Sequence, residues 1–392
     1  MESFFRTHAY LVEHTNAPVR RALMDEINWE HRLIGIKGAR GVGKTTFLLQ
    51  YAKENFDATH RDCLYINMNN FYFQGKGIAE FATEFYTAGG KVLLIDQVFK
   101  HPDWSKELRR CYDELPHLKI VFTGSSVMRL KEENPELNGI VESYNLRGFS
   151  FREFLSLQTG IHFSSYTLDE ILTHHKDIAK HIIAKINPEE YLQSYLHHGF
   201  YPFFLEKRNF SENLLKTMNM MLEVDILLIK QIELKYLAKI KKLLYLLAID
   251  SSKAPNVSHL AKEIQVSRAT VMNYIKYLSD ARLINMIYPK GEDFPKKPAR
   301  IMMHNSNLMY TFYPDVVNEQ NLLETFFKNT MWKDHQLNCG SKGVSFLVDG
   351  HINFKICRSN ERKKKAEIIY ARNGIQVGEG NDIPLWLFGF LY

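Results

Sequence analysis

The nine residues GARGVGKTT (38–46) constrain this chain more than any other stretch. They satisfy G-x-x-x-x-G-K-[ST] through Gly38, Gly43, Lys44 and Thr45, between an apolar run, RLIGIK (32–37), and the helically spaced TTFLLQYAKENF. A strand, a glycine-rich loop and a helix in that order form a phosphate cradle. The glycines let successive backbone N–H groups turn inward, and the helix aims its positive end at the anion. The cradle then comprises Gly38, Ala39, Arg40, Gly41, Val42, Gly43, Lys44, Thr45 and Thr46. Lys44 is expected to reach the β- and γ-phosphates, and the Thr45 hydroxyl to ligate Mg²⁺. ATP with Mg²⁺ is the ligand pair this pattern implies.

A second apolar run, LLIDQVFK (93–100), ends on Asp96, where a carboxylate orients Mg²⁺ through water. The next residue is Gln97. An amide cannot take a proton from an attacking water, although it can orient one. The expectation is tight ATP binding with slow hydrolysis. Ser125 and Ser126 follow KIVFTG (119–124), a place from which a small hydroxyl can sense the γ-phosphate; Gly-Ser-Ser is equally ordinary turn chemistry.

A chain of 392 residues exceeds the about 250–300 that one core supports, so several domains are expected. Residues 1–150 alternate apolar strands with amphipathic helices, the signature of a parallel α/β sheet. Residues 151–235 read as a helical lid and 236–292 as an α+β winged helix-turn-helix. After GEDFPKKPAR, whose Pro295 and Pro298 suggest a linker, 293–392 read as a small α/β domain. The four cysteines are scattered, as suits reduced thiols. The start of the chain lacks a secretion-signal pattern, and no apolar run reaches the ~20 residues that span a bilayer. A cytoplasmic protein without membrane segments is expected.

In the winged-helix block, Lys262, Arg268, Thr270, Asn273 and Lys276 are of types that contact nucleic-acid phosphates and base edges, with Arg282 at the wing. These residues suit DNA binding and a purely structural role alike. The basic run ERKKK (361–365) reads as a solvated turn or a phosphate-backbone contact.

GARGVGKTT, LLIDQVFKHPDW, IVFTGSS, YNLRGFSFREFL, YLHHGFYPF and IPLWLFGFLY together resemble the prokaryotic AAA-superfamily ATPases that join a P-loop core, a winged helix and a C-terminal domain. The resemblance runs over nearly the whole chain. It implies a nucleotide-switched conformation; a protein partner is expected, its identity unspecified. It also implies Asp-Glu where this chain has Asp96-Gln97. An arginine finger is expected on the γ-phosphate, and Arg147, at a family motif, is preferred over Arg129 and Arg152; pairing with a carboxylate such as Glu153 is the alternative. The C-terminal region of such proteins resembles a restriction endonuclease, but the acid expected after Phe354 is Lys355. Asp349 alone is a poor two-metal constellation, so the nuclease-like site is expected to be degenerate. The alternative function is a DNA-binding regulator for which ATP is a sensory ligand.

Overall fold

Four apolar runs of the first part of the chain become parallel strands in which nearly every residue is buried, as happens when helices cover both faces of a sheet. A fifth, more exposed strand pairs at the edge. The computed structural model describes residues 1–57, 60–130, 132–206, 209–250, 254–312, 317–358 and 365–392. They fall into two units, Met1–Gly148 and Phe149–Tyr392.

In the first unit the order is α1 (Glu2–His14), α2 (Leu23–Glu26), β1 (Leu33–Gly38), α3 (Lys44–Asn55), β2 (Cys63–Asn67), α4 (Ile78–Thr87), β3 (Val92–Asp96), α5 (Trp104–Glu114), β4 (Lys119–Ser125) and β5 (Glu142–Asn145). Side by side the strands run β2-β3-β4-β1-β5. All pairings are parallel, so every strand delivers its C-terminal end to one edge. There Gly38 lies beside Ser125, and Asn67 beside Asp96. In an open α/β sheet that edge is where ligands bind.

Helix α1 contacts the sheet through His8, whose Nδ1 accepts the Tyr65 N–H at 3.0 Å. Burial lowers the His8 pKa below its usual value. A depressed histidine pKa means that the unfolded chain binds the proton first. The His8 contribution to stability is therefore intact above about pH 6.5 and is lost as the pH falls below it. A His8→Gln variant should flatten the acid limb of a stability-versus-pH curve measured by urea unfolding; an unchanged limb would exclude His8 as its source.

The second unit opens with α6 (Phe151–Thr159), α7 (Leu168–Ile183) and α8 (Pro188–Ser194), continuing as π-helix over Tyr195–Gly199. Reciprocal capping boxes start α6, through Ser150 and Glu153, and α7, through Thr167 and Glu170. Next come α9 (Phe210–Met220), a π-helical stretch (Met221–Leu228), α10 (Leu237–Ile249), α11 (Val257–Ile264) and α12 (Arg268–Asp280). β6 (Ile284–Ile287) and β7 (Arg300–Met303) then pair antiparallel.

That pairing revises the reading of GEDFPKKPAR (291–300) as a linker. Pro295 and Pro298 lie in the connection between two hydrogen-bonded strands. Proline marks a loop in either setting, and the pairing that distinguishes them is nonlocal. The rest comprises α13 (Ser306–Phe312), α14 (Glu319–Met331), β8 (Leu337–Cys339), β9 (Phe346–Val348), β10 (Ile352–Arg358), β11 (Ile368–Asn373) and β12 (Asp382–Pro384), with the sheet ordered β12-β11-β10-β9-β8. The closing segment Leu385–Phe390 is buried and returns to α6. A Cβ on Gly389 would stand 2.6 Å from that of Phe151. Residues 361–364 of the basic run lie outside the described residues.

Candidate functional site

The loop after β1 owes its path to its glycines. Gly41 and Gly43 have φ of 83° and 93°, in the left-handed region that side chains disfavour. A Cβ on Gly38 would stand 2.5 Å from the Leu146 carbonyl oxygen. Only glycine allows the next strand's exit to pass so close. Helix α3 starts at Lys44, so its unpaired N–H groups and dipole face the loop.

The Lys44 Nζ donates to the carbonyls of Gly38 and Ala39 at 2.9 and 2.8 Å. The ammonium is thus held at the mouth of the cradle by the loop itself. The exposed Thr45 donates its hydroxyl to Asp96 Oδ2 at 2.7 Å. The two groups expected to share a metal therefore meet, though 51 residues apart in sequence. Their oxygens are the donor type that suits Mg²⁺, which takes few protein ligands and completes its shell with water and phosphate.

Asp96 is almost wholly buried, at 1% exposure, and its charge is met by several donors. Besides Thr45, Oδ2 accepts from the Tyr65 hydroxyl at 2.9 Å and the Asn67 amide at 3.3 Å. Thr123 donates to Oδ1 at 2.5 Å. Burial, reinforced by the Asp96 charge, pushes the Tyr65 phenol well above its ordinary pKa. Gln97 follows with φ 56°, its N–H donating to Thr123 Oγ1 at 2.9 Å. Ser125 is buried at the end of β4 beside Gly38, and its hydroxyl accepts from the Val127 N–H at 3.4 Å. Thr123, two residues earlier, is the β4 residue bonded to Asp96.

Arg147 follows Leu146, whose N–H donates to Lys37 O at 2.7 Å. This sets the backbone at 147 along the exit of β1. The buried Arg21 joins these parts: Nη1 donates to Val42 O at 3.1 Å, and Nη2 to the carbonyls of Arg147 and Gly148 at 2.6 and 3.0 Å. Arg152, the rival finger candidate, is structural. It donates to the carbonyls of Tyr392 and Phe163 at 3.0 and 2.9 Å.

Sequence reasoning missed Arg21, Tyr65, Asn67 and Thr123. Strand alternation carried a signal for three of them. Tyr65 and Asn67 are two apart on β2, and Thr123 is two before Ser125, so each pair shares a face that ends at the ligand edge. Arg21 had none, because its partners are backbone carbonyls far away in sequence.

In the second unit, Lys262, Arg268 and Asn273 are exposed on α11 and α12. Thr270 is engaged in the N-terminal cap, its N–H on Ser267 Oγ at 3.0 Å. Lys276 pairs with Asp280 at 2.9 Å and is half-buried, so it is less available to a ligand than the sequence suggests. Asp349 pairs with His335 at 2.7 Å and accepts the Gln336 N–H at 2.9 Å. Burial alone would raise its pKa, but these partners outweigh it and hold the carboxyl below its usual value. Lys355 lies on β10 in register with Tyr370. Among the described residues no group of three His, Cys, Asp or Glu could hold a metal ion, and no helix is long and apolar enough to cross a membrane.

A five-stranded parallel sheet flanked by helices, with this loop after β1, is the α/β fold of P-loop NTPases. Residues 30–155 match the model of the AAA domain family, in keeping with that fold. Residues 189–302 match a domain of unknown function, DUF8612. Two uncharacterised proteins of Methanocaldococcus jannaschii are similar. MJ1637 is 29% identical over 279 residues, covering 67% of this chain and 58% of its own length. MJ1544 is 26% identical, covering 91% of this chain and 88% of its own. Among solved structures, a RuvB variant from Thermotoga maritima aligns over 73% of this chain and 89% of its own, at 14% identity and TM-score 0.27. The Aeropyrum pernix Orc1 protein in complex with DNA aligns over 80% and 92%, at 11% identity and TM-score 0.31.

Proposed function

We propose that this protein is a Mg·ATP-binding conformational switch that hydrolyses ATP slowly. The observation that carries the reading is the meeting of Thr45 and Asp96 at 2.7 Å beside a loop whose lysine stands at its mouth. On nucleotide binding Lys44 exchanges two carbonyls for phosphate oxygens. Thr45 would ligate Mg²⁺ directly and Asp96 would do so through water; the bound ion would neutralise charge on the phosphates. Gln97 orients the attacking water without accepting its proton. Ser125 senses the γ-phosphate, and Arg147 supplies positive charge to it.

A path for the switch is supported by hydrogen bonds to main-chain groups. Arg21 ties the P-loop to Arg147 and Gly148, and the chain continues directly into Phe149. The N–H of Phe149 donates to Phe200 O at 2.8 Å, and its carbonyl accepts from the Tyr195 hydroxyl at 2.7 Å. Asn307 in turn donates to the carbonyls of Tyr195 and Leu196, at 3.1 and 2.9 Å. Tyr195, Leu196 and Phe200 of YLHHGFYPF thus share a buried hydrogen-bond network. Limited proteolysis should give different fragment patterns with ATP and with ADP; identical patterns would count against a switch.

A second reading, a winged-helix DNA-binding regulator with ATP as sensory ligand, is supported by the exposed Lys262, Arg268 and Asn273 on consecutive helices. Duplex affinity should then fall steeply with salt. The double change Lys262→Ala and Arg268→Ala should lower the salt slope by about 2. Binding unaltered by that change would remove the DNA reading.

A further inference from the structure

We propose that Tyr65 competes with metal-bound water for Asp96 and so sets how much Mg²⁺ this site needs; the proposal rests on the Mg·ATP reading. A carboxylate oxygen offers two lone pairs. Oδ2 of Asp96 is the oxygen turned to the P-loop, because it accepts from Thr45 at 2.7 Å. Its second strong donor is the Tyr65 hydroxyl at 2.9 Å, with the Asn67 amide crowding it further at 3.3 Å. Oδ1 is turned away, to Thr123 on β4. A water carried in on the ion must donate to Oδ2, where a protein hydroxyl already stands.

Tyr65 does not leave with a loop movement. It is buried at 5% exposure in the middle of β2, its N–H fixed on His8 Nδ1. The metal-bound water must therefore displace the phenol bond at Asp96 itself. Tyr65 thus acts as a competitor for the carboxylate, whereas Thr123, on the other oxygen, acts as a positioning residue that holds it in place.

The two roles give opposite signs when each hydroxyl is removed. The test titrates Mg²⁺ into the full chain with a fluorescent ATP analogue, using binding in EDTA as the internal reference. Tyr65→Phe leaves Asp96 bonded to Thr45, Asn67 and Thr123, so no buried charge is stranded. Its half-saturating Mg²⁺ concentration should fall about tenfold, the equivalent of one hydrogen bond to a charged acceptor. Thr123→Val should move it the other way. A Mg²⁺ requirement raised or unchanged by Tyr65→Phe overturns the competition while leaving the ATP reading intact. A wild-type chain that binds no nucleotide with Mg²⁺ overturns that reading, and this proposal falls with it.

Discussion

Gln97→Glu should speed phosphate release from ATP about a hundredfold, at the lower end of what a positioned general base contributes. The substitution is close to isosteric, and the position is fixed by the backbone. Gln97 holds a φ of 56°, with its N–H anchored on Thr123 Oγ1. A glutamate therefore inherits the amide's place just after β3, next to Asp96, where the proposed function puts the attacking water. It would differ in accepting the proton that the amide refuses. The gain should grow with pH as the new carboxyl ionises, since only the carboxylate can accept the proton. Steady-state release compared between the two proteins across pH tests this directly; equal rates would mean that Gln97 is not what restrains hydrolysis.

Arg21→Ala should destabilise the protein by about 3–5 kcal/mol, because three carbonyls lose charge-assisted hydrogen bonds of roughly 1.5–3 kcal/mol each, part of which water restores. The guanidinium satisfies the Val42, Arg147 and Gly148 carbonyls at once, and it is buried. Alanine leaves three acceptors without it and opens a cavity between the P-loop and the exit of β5. ATP affinity should fall as well, since the loop loses a brace. Arg21→Lys should recover only part of the loss, because one ammonium cannot reproduce the planar fork that reaches carbonyls on both sides. Urea unfolding of the three proteins is the measurement. A change within about 0.5 kcal/mol, as at an ordinary surface position, would remove Arg21 from the account.

The phosphate loop was legible because its chemistry is local: glycines for backbone direction, a lysine and a threonine at fixed offsets. Strands β1 to β4 were legible for a related reason, being short apolar runs between turn residues. Asp96 could be placed at a strand end, and alternation put Tyr65, Asn67 and Thr123 on faces that end at the ligand edge, but that they meet Asp96 depends on the order β2-β3-β4. That order is nonlocal and leaves no spacing to read. Pro295 and Pro298 misled for the same reason: a proline-bearing loop reads alike whether it links domains or joins paired strands. The Lys276–Asp280 pair could have been seen, since the two are four apart on one helix and such neighbours meet on its surface.

The most direct measurement is ATP binding and ATP hydrolysis on the same preparation with Mg²⁺ present, using Lys44→Ala as the blank. Tight binding that vanishes with Lys44→Ala, accompanied by almost no phosphate release, is the result expected of a slow, ATP-held switch. Brisk release that depends on Lys44 would contradict the slow-switch account and mark the protein as a cycling motor, and binding indifferent to Lys44 would contradict the site itself.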